Sequence, residues 1–253
     1  MHEGTTLGAP ESVKSEHNII ATNNISNNTR GILLSGPGAS NNKIYHNNLT
    51  GCGISIGSYA NTLVGNIVTN GGIALGGPSN LLRNNTMESF SVGGKSVSDF
   101  INDVDTSNAV DGKPIYYLIN KKDITIPVDA GYVALINSYN ITAKGLQLKN
   151  NGQGVLLVNT TNSQIRYNNI TNNLDGIGLL NSSYNTLSDN NITNNYHGIW
   201  MIYSSNNTLA CNTVADSDYC GIGLVYSSNN NTLSFNSVTN TLFGIGVLES
   251  SNN

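Results

Sequence analysis

The sequence predicts an all-β chain wound as a right-handed, single-stranded parallel β-helix, a solenoid of about ten rungs of roughly 22 residues each. A repeated template, an even spacing of its glycines and an asparagine that returns at one template position lead to that fold. The template reads N-x-L/I-x-x-N-x-I-T-x-N-x-x-G-I-x-L. Its clearest copies are NTLSDNNITNNYHGIWM (185–201), NTLACNTVADSDYCGIGL (207–224) and NTLSFNSVTNTLFGIGV (231–247). The glycine opening each G-I/V/Y step falls at Gly131, Gly154, Gly176, Gly198, Gly221 and Gly244, at intervals of 23, 22, 22, 23 and 23 residues. The same beat occurs earlier at Gly31, Gly53 and Gly72, with one shorter rung of 19.

The chain enters the pattern at Asn18–Ile25, and regular rungs are expected over 18–87. A repeat of this length is too short for a helical hairpin with its turns. It holds short alternating segments, such as Ile199-Trp200-Met201 and Ile222-Gly223-Leu224, which read as strands. A leucine-rich repeat has the same length, but no L-x-x-L-x-L strand occurs and the Asn-Asn pairs disfavour an outer helix. In a parallel β-helix each residue lies over its counterpart one rung away at about 4.8 Å, so equivalent positions form columns. Ile177, Ile199, Ile222 and Ile245, with Leu187, Leu209 and Leu233, are expected to fill the interior, while Gly178, Trp200, Gly223 and Gly246 face outward and vary in size. The template asparagine supplies Asn23, Asn47, Asn66, Asn85, Asn168, Asn190, Asn212 and Asn236. A carboxamide both donates and accepts, so these residues are expected to stack as a structural asparagine ladder at a bend. Lys144 is placed at this position in one rung, with Gly145 supplying the turn.

An irregular charged interruption is expected over 88–130, because the template disappears after Met87 and the step from Gly72 to Gly131 is 59 residues, not a whole number of rungs. Asp99, Asp103, Asp105, Asp111, Lys113, Lys121, Lys122, Asp123 and Asp129 gather there. Residues 115–119 and 124–126 alternate around Asn120-Lys121-Lys122-Asp123 and are expected as a hairpin or as two strand ends. Long loops on rigid scaffolds often carry function, so chemistry is sought first between Glu88 and Asp129; the plainer reading is an adapter between two coil stretches. Regular rungs resume over 131–253, and the whole is read as a single β-helix domain, 1–253. The chain stops in LESSNN, where the template would next require N-T-L, and neither end carries an amphipathic capping helix. The expectation is therefore a fragment of a longer protein, or a chain that self-associates end to end through unpaired strands.

Composition narrows the function. Hydrophobic residues make up 38% and charged residues only 10%, so asparagine, about one residue in six, covers much of the surface with Ser, Thr and Gly. A net charge of −4 without a Lys/Arg cluster interleaved with aromatics argues against nucleic acid as a partner. No run of 18 or more apolar residues occurs, hence no membrane segment, and the start MHEGTTLGAPESVKSEHNII has neither a basic head nor an apolar core. Cys52, Cys211 and Cys220 are odd in number and lack metal spacing; they read as small hydrophobes of the core, with a Cys211–Cys220 bridge as the alternative.

With these columns in place, the chain resembles right-handed β-helix proteins of the NosD type, also described as carbohydrate-binding and sugar-hydrolase (CASH) domains, and particularly the repeat-rich surface proteins of methanogenic archaea. The strings SSNNTL, SSYNTL and NNITNN carry the resemblance, together with DGKPIYYLINKKDITIPVDAGYVALIN (111–137) and NITAKGLQLKNNGQGVLL (140–157). It spans nearly the whole chain. It implies the fold; the family includes enzymes, accessory proteins and adhesive surface proteins. The NosD name implies copper-enzyme maturation, but His2, His17, His46 and His197 are scattered and no Cys/His/Met cluster has ligand spacing, so no metal and no cofactor is expected.

Candidate residues are sparse. Asp175 and His197 share a template position on consecutive rungs, about 5 Å apart at Cα, which permits an Asp–His contact beside Tyr196 and Tyr219. A freely varying surface column is the plainer reading, since Gln153, Cys220 and Phe243 are its other members. Pectin-hydrolase patterns are absent; the nearest string is Tyr196-His197-Gly198, without an adjacent Asp pair. Exposed aromatics can hold sugars by stacking, so Tyr196, Trp200 and Tyr219 are ligand-binding candidates, and the interruption adds Asp111, Lys113 and Tyr116. Sequons such as Asn24, Asn48, Asn140, Asn169, Asn191 and Asn206 fall out of the template itself and favour the outside of the cell only slightly. The reading favours a non-catalytic extracellular or cell-surface repeat domain, a stalk, envelope or adhesion scaffold with polysaccharide or envelope components as partners. The alternative is a polysaccharide-active enzyme of lyase, hydrolase or epimerase type, or a carbohydrate-binding domain.

Overall fold

The computed structural model describes residues 14–36 and 38–253, so His2 lies outside the described residues. These residues form a parallel β-solenoid of about ten turns with almost no helix. The chain winds through three flanks, and aliphatic side chains alternate inward on each. In the first stack the inner columns run Ile44–Leu63–Leu82–Val104, Leu49–Val68–Met87–Val110 and Ile32–Ile54–Ile73–Phe90. All of these are buried. The second stack repeats the scheme with Ala143–Ile165–Leu187–Leu209, Leu148–Ile170–Ile192–Val214 and Val155–Ile177–Ile199–Ile222. Each such side chain removed from water contributes roughly 1.5–3 kcal/mol.

Asparagine closes the corners. Asn190 shows the pattern: its Oδ1 accepts from the backbone N (3.2 Å) and Nδ2 (2.9 Å) of Asn168, while its own Nδ2 donates to Ile165 O and to Asn212 Oδ1. The preceding residue takes the left-handed conformation, and at several corners it is itself asparagine, as at Asn41, Asn84, Asn150, Asn172, Asn194, Asn206 and Asn230. This is why Asn-Asn pairs recur: asparagine tolerates that conformation and can also supply the ladder amide.

The structure corrects the expected ladder in three ways. First, the eight asparagines form two ladders, because Asn85 passes its Nδ2 to Asn108 Oδ1 (2.8 Å), not toward Asn168. Second, further ladders run alongside: Asn18–Asn42–Asn61–Asn80–Asn102 in the first stack, Asn185–Asn207–Asn231 and Asn151–Asn173–Asn195 in the second, and a hydroxyl series through Thr160, Ser182, Ser204 and Ser228. Third, Leu146, not Lys144, occupies the position beside Asn168, whose Oδ1 accepts from Leu146 N; Lys144 lies in the adjoining strand against Arg166. Gly145 does make the left-handed turn (φ +70°). The cysteines are all free; Cys52 and Cys220 are buried, whereas Cys211 is exposed because it occupies the left-handed corner position.

The interruption also differs from expectation. The coil does not stop where the template does, since Asp103–Val104 pairs with Leu81–Leu82 and Ala109–Val110 with Thr86–Met87, adding a degenerate rung at Asn102 and Asn108. What precedes it is an excursion, 93–101, with a short 3₁₀ turn at Val97–Phe100. Of the two readings of 115–126, two strand ends agrees with the structure, and a hairpin lies earlier: Ala109–Val110 pairs antiparallel with Lys113–Pro114 across Asp111-Gly112, both left-handed, the geometry a two-residue hairpin turn requires. Residues 115–126 then follow a rung, with Lys113–Ile119 parallel to Tyr132–Ile136 and bridges at Lys122–Tyr139 and Thr125–Thr142.

At this junction the strands Tyr132–Ile136 and Gln153–Val158 are buried along their whole length. Val133, Leu135, Val155 and Leu157 point into the core of the second stack, and Tyr132, Ala134, Ile136, Leu156 and Val158 point into that of the first. The flank of the second stack thus closes the lower end of the first. Tyr132 sits edge-on to Phe90 at 5.0 Å, and its hydroxyl donates to Gln153 Oε1 (2.9 Å). Gly152 N donates to Phe90 O, an approach that only glycine permits, since a Cβ there would lie 2.3 Å from that of Ser91.

Candidate functional site

Below the junction, the outer face of the third flank carries two neighbouring columns. Gln153, Asp175, His197, Cys220 and Phe243 form one; Leu156, Gly178, Trp200, Gly223 and Gly246 form the other. Asp175 and His197 make a hydrogen bond of 2.7 Å between Oδ1 and Nδ1, with both side chains mostly covered. With Nδ1 held by the carboxylate, Nε2 is the ring nitrogen left to meet a ligand. The imidazole lies parallel to the Trp200 indole at 4.2 Å, with the edges of Tyr196 and Tyr219 against it. Tyr196 and Tyr219 stack on each other at 5.6 Å, and Phe243 continues the shelf edge-on at 5.3 Å. Stacking of this kind is a direct result of the solenoid, which repeats each corner one rung further along.

Trp200 separates two depressions. One, of about 180 Å³, lies between Asp175, Gly178 and Trp200 on the second stack and Gly93, Gly94 and Phe100 from the excursion of the first. The other, of about 240 Å³, lies between Trp200, Tyr219, Cys220 and Phe243. Burial pushes the Cys220 thiol up. Near the wall of the first depression, the backbone N–H of Ser96, followed by that of Lys95, donates to Asp99 Oδ2 and holds that carboxyl below its usual range despite some desolvation.

Of the sequence candidates, Asp175, His197, Tyr196, Trp200 and Tyr219 come together on this shelf. Asp111, Lys113 and Tyr116 lie at the junction. Asp111 forms an ion pair with Lys149 (3.4 Å) and shares a small recess with Lys113, while the Tyr116 hydroxyl donates to Asp129 Oδ1 (3.2 Å). Desolvation, then Asp129, raises the Tyr116 phenol. That recess shares no lining residue with either depression beside Trp200. Gly93, Gly94 and Phe100 escape sequence reasoning, since nothing in the repeat places an excursion from one stack beside a rung of the other. Among the described residues, no three His, Cys, Asp or Glu side chains converge as a metal ligand set, and no helix is long and apolar enough to cross a membrane.

The chain is structurally similar to the periplasmic alginate epimerase AlgG, at 13% identity over 95% of this chain and 76% of that one, with a TM-score of 0.35. A point mutant of that enzyme gives 14% identity, the same coverage and a TM-score of 0.34. No curated protein matches the chain. The family model for NosD, described as periplasmic copper-binding protein, matches residues 102–253, which take in the junction, the second stack and the whole aromatic shelf. This β-solenoid belongs to the NosD family.

Proposed function

We propose that the chain is a non-catalytic repeat domain acting outside the cytoplasm, an envelope or adhesion scaffold whose flank holds polysaccharide. The aromatic shelf around the Asp175–His197 pair carries this reading. Most buried polar side chains elsewhere are tied into the ladders, whereas the shelf exposes its tyrosine rings beside the mostly covered Asp175–His197 pair. Rings with adjacent hydrogen-bonding groups suit sugars, whose faces are apolar and whose rims are hydroxylated. The family description, periplasmic, supports the location.

Copper, which the same description names, does not fit the residues present. His197 is engaged by Asp175 without a third ligand among the described residues, His17 and His46 belong to the first stack, and Met87 and Met201 are buried in separate cores. Catalysis is also poorly supplied. The two depressions contain one carboxylate, Asp175, and neither is lined by Lys or Arg. Glycan chemistry by paired carboxylates needs a second one. A glycan-array screen, followed by reducing-sugar and unsaturated-product assays on the glycans bound, tests the proposal. Binding without turnover is the expected result; product release would establish the polysaccharide-active alternative, and an array without signal would remove the glycan role.

A further inference from the structure

Building on that glycan reading, we infer that the depression between the two stacks is a subsite for one ring of a neutral glycan, seated against Trp200, with the excursion of the first stack as its far wall. The setting of the indole is the first argument. A Cβ on Gly223 would lie 2.3 Å from Cε3 and Cζ3 of Trp200, so the ring spreads over the neighbouring rung only because that rung has glycine there. On the other side Gly178 leaves the floor of the depression bare. A large ring between small residues, with a second wall facing it, is a shaped recess and not a side chain standing free in solvent.

The polar edge is fixed in advance. Asp175 orients His197, His197 stacks on the indole, and Gln153 at the head of the same column is held by the Tyr132 hydroxyl. Groups already immobilised lose little entropy on binding, which favours ligands with many weak hydroxyl contacts. Charge selects the class of sugar. The recess contains the Asp175 carboxylate and no Lys or Arg lines it; just outside, Asp99 beside Gly94 is offset by Lys95. A carboxylate accepts strong hydrogen bonds from sugar hydroxyls but repels a uronate or a sulfate. About 180 Å³ falls below the roughly 300–1,000 Å³ of sites for drug-sized ligands, which limits the recess to a single ring.

Trp200 is the only tryptophan in the chain, so its fluorescence reports on the two depressions that it separates, and the wall variants below assign the signal to this one. Titration of the full chain with cellohexaose and mannohexaose, against hexameric oligogalacturonate as the anionic control, should show saturable change in emission with a neutral probe and binding of the uronate weaker by about tenfold or more. Two variants test the walls without removing the indole. A Cβ at Gly178 meets nothing nearer than 3.6 Å and one at Gly93 nothing within 4 Å, so Gly178→Val and Gly93→Leu should fill the recess at an unchanged melting temperature and weaken neutral binding by about tenfold. Uronate binding as tight as neutral, or neither neutral probe bound, would overturn the assignment. Neutral binding that ignores both variants would also overturn this subsite while leaving the wider glycan reading in place, whereas an empty array removes both.

Discussion

The third flank behaves differently in the two stacks. In the first, its outward positions are Leu33, Ser55, Ala74 and Ser91, mostly small residues bordering a shallow groove. In the second, the outward positions of the leading strands are Tyr132, Ala134, Ile136, Leu156 and Val158, all buried because they close the other stack. One architecture therefore uses the same surface as a solvent face in one place and as a lid in another. An exposed solenoid end offers unpaired strand groups and bare core; here a neighbouring flank covers that end. The difference shows in the sequence as lost alternation, the expected mark of strands buried on both faces.

The most severe way to break this arrangement is to remove the side chain that joins the stacks. Tyr132→Ala deletes the contact with Phe90 and the hydrogen bond to Gln153 from a fully buried site, and should cost about 3–5 kcal/mol in urea unfolding. Tyr132→Phe keeps the ring and should cost only about 1 kcal/mol. If the lid makes the stacks one cooperative unit, Tyr132→Ala should split a single transition into two; one shifted transition would mean that the backbone pairing at the Asp111-Gly112 hairpin suffices.

Next in size is the ladder. Asn190→Ala leaves the backbone N and Nδ2 of Asn168 without their acceptor and strands Ile165 O, all within a buried corner. The expected loss is roughly 2–4 kcal/mol by denaturant titration. Asn236→Ala, in the partly buried last rung, should cost less than half of that. Equal losses at the two positions would show that stability does not follow burial along the ladder.

Much of this was readable in the sequence, for a physical reason: stacking forces chemically similar residues into columns, so the period, the inner aliphatics and the asparagine at the bend all leave a regular trace. Asp175 and His197 were readable as neighbours by the same rule, and their column-mates were too. The degenerate rung at Asn102 and Asn108 was missed because only its ladder amides match the template. The lid was missed because YVALI and GVLLV look like ordinary core strands, and periodicity does not say which core each face joins. The far wall of the recess, Gly93–Gly94 and Phe100, comes from a contact between stacks, which no internal repeat encodes.

A pH dependence also separates the junction from the regular rungs. Tyr117 and Tyr132 lie in the core of the first stack at the junction. Burial raises both phenols above the ordinary value of 10.0, and for Tyr132 the charges of Tyr117 and Asp175 add to it. The unfolded chain sheds these protons near pH 10 while the native chain retains them, so the unfolded state binds fewer protons above that pH and stability falls as pH rises. The stabilisation is complete below about pH 10 and declines above it by up to about 1.4 kcal/mol per pH unit for each tyrosine. Urea unfolding between pH 9 and 11 should show that slope, and Tyr117→Phe with Tyr132→Phe should flatten it. An alkaline slope unchanged in the double variant would place the sensitivity elsewhere and deny the junction its distinct part in holding the two stacks together.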